Sequence, residues 1–148
     1  MKSLKIDLLI AFGLLALAIT LSSCAGPSAA SGLANTAWKL ESLGPKGSEV
    51  PVLDGYPITL TFEDESKVGG SSGCNSYGGQ YTVKDGALSF SQIVSTMVAC
   101  VDQAAMQQET DFHAALNSAG SYQLDGDHLT IEYGGGQAVL NFVKQASS

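Results

Sequence analysis

The chain contains no arginine: its seven basic residues are all lysines, set against 14 Asp and Glu, for a formal net charge of −7. Binding a phosphate backbone needs clustered Lys or Arg, so this deficit excludes a nucleic-acid partner. It also excludes docking on anionic lipid headgroups by charge alone. The acidic residues are scattered, with Glu63-Asp64-Glu65 the one run, a pattern that serves solubility. Histidine is scarce, with two residues, and neither Cys74 nor Cys100 has a further Cys or His at ligand spacing, which argues against a thiolate metal site. Long apolar runs are also few. The longest, Leu8–Ile19, is shorter than the roughly 20 residues a membrane-spanning helix requires.

That run belongs to a three-part leader. Lys2 and Lys5 make the start positive despite Asp7, the apolar run follows, and Leu21-Ser22-Ser23-Cys24 closes it. The ending resembles the bacterial lipobox, in which the cysteine thiol receives a diacylglyceryl group and the chain is cut before it. The alternative is an uncleaved anchor helix with an incidental Cys. Residues 1–23 are thus expected to be a lipoprotein signal peptide and Cys24 the lipidated N-terminus. One acyl chain holds a protein only marginally, so stable anchoring needs two or three. Residues 24–33 are small and polar and read as a flexible tether. Ala25, rather than Asp, after the lipidated Cys favours the outer membrane in a Gram-negative envelope.

Cutting 23 residues from 148 leaves 125, enough for one domain. Loss of Lys2, Lys5 and Asp7 leaves 5 Lys against 13 Asp and Glu, a net charge of −8. Cys74 and Cys100 are then an even pair in an oxidising compartment. Bridged, they would close a loop of about 27 residues, worth roughly 3 kcal/mol in the chain-entropy model. Unbridged, they would be two small buried apolar residues.

From Asn35 onward, short runs alternate apolar and polar residues between turn signals, the pattern of half-buried antiparallel strands. Trp38 and Leu40, Ile58–Phe62, Tyr81 and Val83, Leu88 and Phe90, Tyr122 and Leu124, Leu129–Tyr133, and Ala138–Phe142 supply the apolar faces. Asp85-Gly86 and Asp125-Gly126-Asp127 mark hairpin turns. One helix is expected from about Asp102 to Ser118, with Asp102 as N-cap and a staple between Val101 and Met106. Its buried stripe is Ala105, Met106, Phe112 and Leu116, and it ends near Gly120. The expected fold class is α+β: a strongly curved antiparallel sheet or partly open β-barrel of seven or eight strands packed around one α-helix.

The densest motif is Val68–Tyr81. Its glycines invite a phosphate-loop reading, but Cys74 stands where that loop needs Lys. Gly69-Gly70-Ser71-Ser72-Gly73 matches G-x-S-x-G, with Ser71 as nucleophile and His113 or His128 as base. That motif, however, requires a strand-turn-helix elbow in a larger α/β fold. Glycines that permit close packing or bulges explain the segment more simply. Glu109 and His113, four apart on the helix, could share a metal ion or make an ordinary helix contact; no third ligand is in sight.

Gly73-Cys74-Asn75-Ser76-Tyr77, then Gly79-Gln80-Tyr81, then Ser95-Thr96-Met97-Val98-Ala99-Cys100 and Glu109, resemble the META domain family, whose best-known bacterial members are HslJ-like heat-shock lipoproteins. Trp38 is similar to the family's first-strand Trp. The likeness runs from about Leu33 to Val143, giving a META-type domain at 34–144. It implies a small α+β fold of antiparallel strands curled around one helix. It also implies an envelope protein associated with stress and, in some bacteria, novobiocin resistance, with no defining catalytic activity or cofactor. The motif residues Trp38, Gly73, Cys74, Asn75, Tyr77, Gly79, Tyr81, Thr96, Met97, Cys100 and Glu109 are accordingly expected to be structural. Asn75 would bond loop backbone, and Glu109 would tie the helix to it. Together these features predict a monomeric, non-enzymatic, lipid-anchored envelope protein that works through a protein partner or a small ligand. The alternatives are a carrier holding a small apolar ligand between sheet and helix, a Ser71 hydrolase, and an inhibitor or assembly factor that binds by an exposed strand edge.

Overall fold

The computed structural model describes residues 32–64, 66–98 and 100–146. The signal segment and most of the tether lie outside them. Nine strands and one helix follow in order: β1 (Thr36–Pro45), β2 (Val50–Pro51), β3 (Thr59–Phe62), β4 (Lys67–Ser71), β5 (Ser76–Lys84), β6 (Ala87–Ser95), α1 (Gln103–Asn117), β7 (Ala119–Asp125), β8 (His128–Tyr133) and β9 (Ala138–Lys144).

Alternation in the sequence becomes alternation in burial. Trp38 and Leu40 of β1, Leu60 and Phe62 of β3, Tyr77 and Tyr81 of β5, and Leu88 and Phe90 of β6 all point inward. So do Leu129 and Ile131 of β8 and Leu140 and Phe142 of β9. Asp85 and Gly86 both take positive φ (52° and 81°), the conformation a two-residue type I′ hairpin demands.

The sheet closes into an antiparallel barrel of eight strands, where the sequence suggested a partly open one. β1 makes the closure. Its ten residues are long enough to pair with β3 over Thr36–Lys39 and with β9 from Trp38 to Pro45. A bulge between Leu40 and Ser42 re-phases the strand, so that Leu43 also turns inward. The remaining strand, β2, is a two-residue addition on β1. Eight strands leave an interior just wide enough for side chains to fill. Trp38, Phe62, Phe112 and Phe142 are among those that fill it.

The weakest joint lies between β6 and β7, with one registered pair, Ala87↔Ser121. Between these strands the chain leaves the barrel to build α1. Asp102 caps that helix by accepting from the N–H groups of Ala104 (2.8 Å) and Ala105 (3.4 Å). Its buried face is Ala105, Gln108, Glu109, Phe112, Ala115 and Leu116. Met106 is not in that stripe: it is half-exposed, and Val101 is fully exposed, so the expected staple between them does not form. Two polar residues, Gln108 and Glu109, take the inward positions instead. The helix ends at the cap Ser118, and Gly120 already belongs to β7.

Gln108 and Glu109 reach the loops at one mouth of the barrel, which the helix therefore covers. The strand registers put the chain's entry at Leu33 and the turns at Asp64, Asp85-Gly86 and Gly126 at the opposite mouth.

Candidate functional site

Gly73, Cys74, Asn75, Tyr77, Thr96, Cys100 and Glu109 converge at the helix-covered mouth. Glu109 is buried on α1, and its two carboxylate oxygens are claimed by separate partners. Ser72 Oγ donates to Oε1 at 2.6 Å, and Asn75 Nδ2 donates to Oε2 at 3.0 Å. His113, one turn along the helix, places Nε2 3.7 Å from Oε1, and Cys100 Sγ lies 3.9 Å from Oε2. A carboxylate taken out of water is costly unless its lone pairs are filled, and here hydroxyl and amide donors fill them.

Asn75 carries the network outward. Its Oδ1 accepts from Val98 N (2.7 Å) and Thr96 Oγ1 (2.9 Å), and its Nδ2 also donates to Val98 O (3.1 Å). One side-chain amide thus pairs with Val98 as a neighbouring strand would. The tight turn that aims it, Ser72–Asn75, is closed by Ser72 N donating to Asn75 O (2.8 Å). Gly73 sits within it at φ 112°, which a side chain would strain. Cys74, in the same turn, is disulfide-bonded to Cys100, with a Cα–Cα separation of 5.8 Å. The segment after β6 is therefore pinned to the β4–β5 turn by one covalent bond and several hydrogen bonds.

Among the other motif residues Tyr77 supports this corner, while Tyr81 and Trp38 make their hydrogen bonds toward the opposite mouth. Tyr77 packs edge-on against Phe112 (5.5 Å between centroids) and donates its OH to Thr59 O at 2.9 Å; burial pushes its phenol well above the ordinary range. Tyr81 packs edge-on against Phe62 and donates to Asp64 O at 2.6 Å. Trp38 Nε1 donates to Thr36 Oγ1 at 2.7 Å. Gly79 faces the β6 bulge, where an added Cβ would sit 2.5 Å from Ile93 Cδ1 and 2.9 Å from Ser91 O. Met97 differs from these in being 98 % exposed.

The elements of a nucleophile site are not assembled. Ser71 Oγ accepts from Gly73 N (3.2 Å), and among the described residues no hydrogen bond joins Ser71 to either histidine. His113 faces Glu109, while His128 opens β8 at the far mouth. The serine that does meet a carboxylate is Ser72. It is fully buried, and Glu109 lies between it and His113, so the serine–histidine contact of a triad is not made. Cys74, Cys100 and Glu109 bring ligand atoms within 4.8 Å of one another, but sulfurs bonded to each other cannot serve as thiolate ligands.

Ser72 and Gln108 were missed in the sequence. Gln108 Oε1 accepts from Leu53 N (2.7 Å), and its Nε2 donates to Tyr56 O (3.2 Å), fixing the β2–β3 loop. That loop bounds an open cleft of about 510 Å³ on the outside of β1, lined by Lys39, Glu41, Val52, Leu53, Asp54 and Pro57. The available signals were adjacency alone: Gln108 beside Glu109, and Ser72 two residues before Cys74.

Residues 31–147 match the family model of the META domain. Among solved structures, an NMR structure of a protein from Burkholderia xenovorans superposes with a TM-score of 0.68 at 30 % identity. The match covers 82 % of this chain and 90 % of that one. The crystal structure of a DUF4847 family protein from Bacteroides vulgatus superposes with a TM-score of 0.54 at 17 % identity, covering 78 % and 96 %, a likeness of fold. No curated protein matches the chain. With most of its motif residues assembled at one mouth of the barrel and the family model spanning the whole fold, the chain belongs to the META domain family.

Proposed function

We propose that this is a non-enzymatic, lipid-anchored protein of the bacterial cell envelope. It is tethered through acylated Cys24 and acts through a protein partner in envelope maintenance under stress or antibiotic exposure. The observation that carries the reading is Leu21-Ser22-Ser23-Cys24 behind a charged start and a short apolar run. The bridge between the two remaining cysteines supports it, because disulfides persist in oxidising compartments. The buried polar residues support the non-catalytic part: Glu109, Asn75 and Ser72 satisfy one another and hold a loop in place. A carrier with its cavity between sheet and helix is disfavoured, because Phe112, Leu116 and the strand side chains occupy that space.

Fractionation of cells expressing the full chain and its Cys24→Ala variant tests the anchor. The wild type should pellet with membranes and enter detergent, and the variant should accumulate as uncleaved precursor. Identical processing and distribution of the two would overturn the reading.

A further inference from the structure

β6 does not stop presenting backbone at Ser95. Hydrogen bonds on its β5 side continue along the following residues: Thr96 N donates to Ser76 O (3.0 Å), and Val98 N and O pair with the Asn75 side chain. In an extended chain alternate residues turn their N–H and C=O to opposite sides. Thr96 and Val98 face β5 and Asn75, so Ser95 and Met97 present their backbone groups the other way. No strand among the described residues takes them, since β7 leaves β6 after Ala87.

Proteins normally blunt such an edge with Lys, Pro or inward charge. This one does the opposite. Leu88–Val101 contains no charged residue and no proline, in a chain with 21 charged side chains (7 Lys, 14 Asp and Glu). The same stretch carries most of the exposed large apolar side chains: Val94 (71 %), Met97, Val98 (64 %) and Val101, with Met106 one helical turn on. The disulfide and the hydrogen bonds to Asn75 pin this segment to the β4–β5 turn, so little ordering entropy remains to be lost on binding.

We propose that the Ser95–Met97 edge and the surrounding Val94, Val98 and Val101 form a strand-addition site. Its occupant is an extended, uncharged, β-branched or aromatic segment of another envelope protein. The unpaired N–H and C=O groups call for a backbone partner, and the uncharged surface on a net-negative domain calls for one without acidic residues. A second copy of this chain is the poorer occupant. Antiparallel pairing of two such edges would point the two chain entries at Leu33 in opposite directions, against anchorage in one membrane. The inference rests on the partner-binding envelope reading and gives the partner its chemistry.

The test places a photo-crosslinking residue at Val94 or Met97 of the full chain in cells, with Lys84 and Asp127 at the opposite mouth as controls. The crosslinked segment is mapped, synthesised and titrated into the purified protein. Adducts are expected at Val94 and Met97 but not at the controls. The segment should bind saturably and perturb the Ser95 and Met97 amides. Alternate backbone N-methylation, or Val94→Lys with an unchanged melting temperature, should weaken it at least tenfold. Equal labelling at all four positions, binding indifferent to N-methylation, or adducts to a second copy alone would overturn the proposal. Fractionation of the same cells reads the anchor separately, so failure of the anchor is distinguishable from failure of the site.

Discussion

Replacing Asn75 tests how the buried corner is held. Asn75→Ala removes four hydrogen bonds: two to Val98, one to Thr96 and one to the Glu109 carboxylate. The first three lie near the surface, where water recovers part of each, leaving about 0.5 kcal/mol apiece. The fourth leaves a buried carboxylate oxygen short of a donor, at about 1.5–2 kcal/mol. The variant should therefore be destabilised by about 3 kcal/mol, a fall in Tm of about 10 °C for a domain of this size. Asn75→Asp separates this account from a simple packing effect. It keeps the shape but sets a second carboxylate about 3 Å from Glu109 Oε2. Like charges at that distance raise the pKa of the pair in the folded state. The variant should thus be worse than Ala at pH 7, and its deficit relative to wild type should shrink as pH falls towards 5. Calorimetry at both values reads this. Asn75→Asp melting within 2 °C of wild type at pH 7 would refute the reasoning.

Other substitutions report on other parts of the fold. Reducing the Cys74–Cys100 bridge, or replacing both residues by Ala, should cost about 3 kcal/mol and be visible as a lower denaturation midpoint with an unchanged far-ultraviolet spectrum. Phe112→Ala, under the barrel mouth, should cost about 3–5 kcal/mol in urea titration. Gly70→Ala would put a Cβ 2.2 Å from Thr59 O, a backbone clash at positive φ, and should cost more than about 2 kcal/mol. Three part-exposed carboxylates are held below their ordinary range: Glu49 and Asp64 by backbone N–H groups, and Glu132 first by Lys46. The folded state binds fewer protons than the unfolded one there. Their contribution is present above about pH 5 and lost as pH falls through about 4 towards 3, so Tm should drop across that interval.

Seven strands were legible because their apolar residues recur with a period of two, as Leu129-Ile131 and Leu140-Phe142 do, and because Asp85-Gly86 announces its own turn; the two-residue β2 and the Gly-rich β4 carry no such pattern and were not. Closure was not legible. It depends on Trp38–Pro45 meeting Ala138–Lys144 across a hundred residues, a pairing no local pattern encodes. The helix was placed to within a residue by Asp102, but its inward face was misread at Met106. Apolarity is a poor guide where a helix uses Gln108 and Glu109 to grip loops, and the hydrogen bonds that make those side chains worth burying come from Leu53, Tyr56, Ser72 and Asn75. The candidate site was half legible for the same reason. The motif residues could be named in the sequence, while the partners of Asn75 and Glu109 could not. Met97, named with the motif residues, is 98 % exposed, which its sequence context gave no sign of.

The central claim, a lipid-anchored envelope protein, is tested most directly by the intact mass of the full-length gene product purified from cells. The account predicts loss of residues 1–23, gain of two or three acyl chains at Cys24, and two hydrogens fewer for the Cys74–Cys100 bridge. A product beginning at Met1 with an unmodified Cys24 would contradict it.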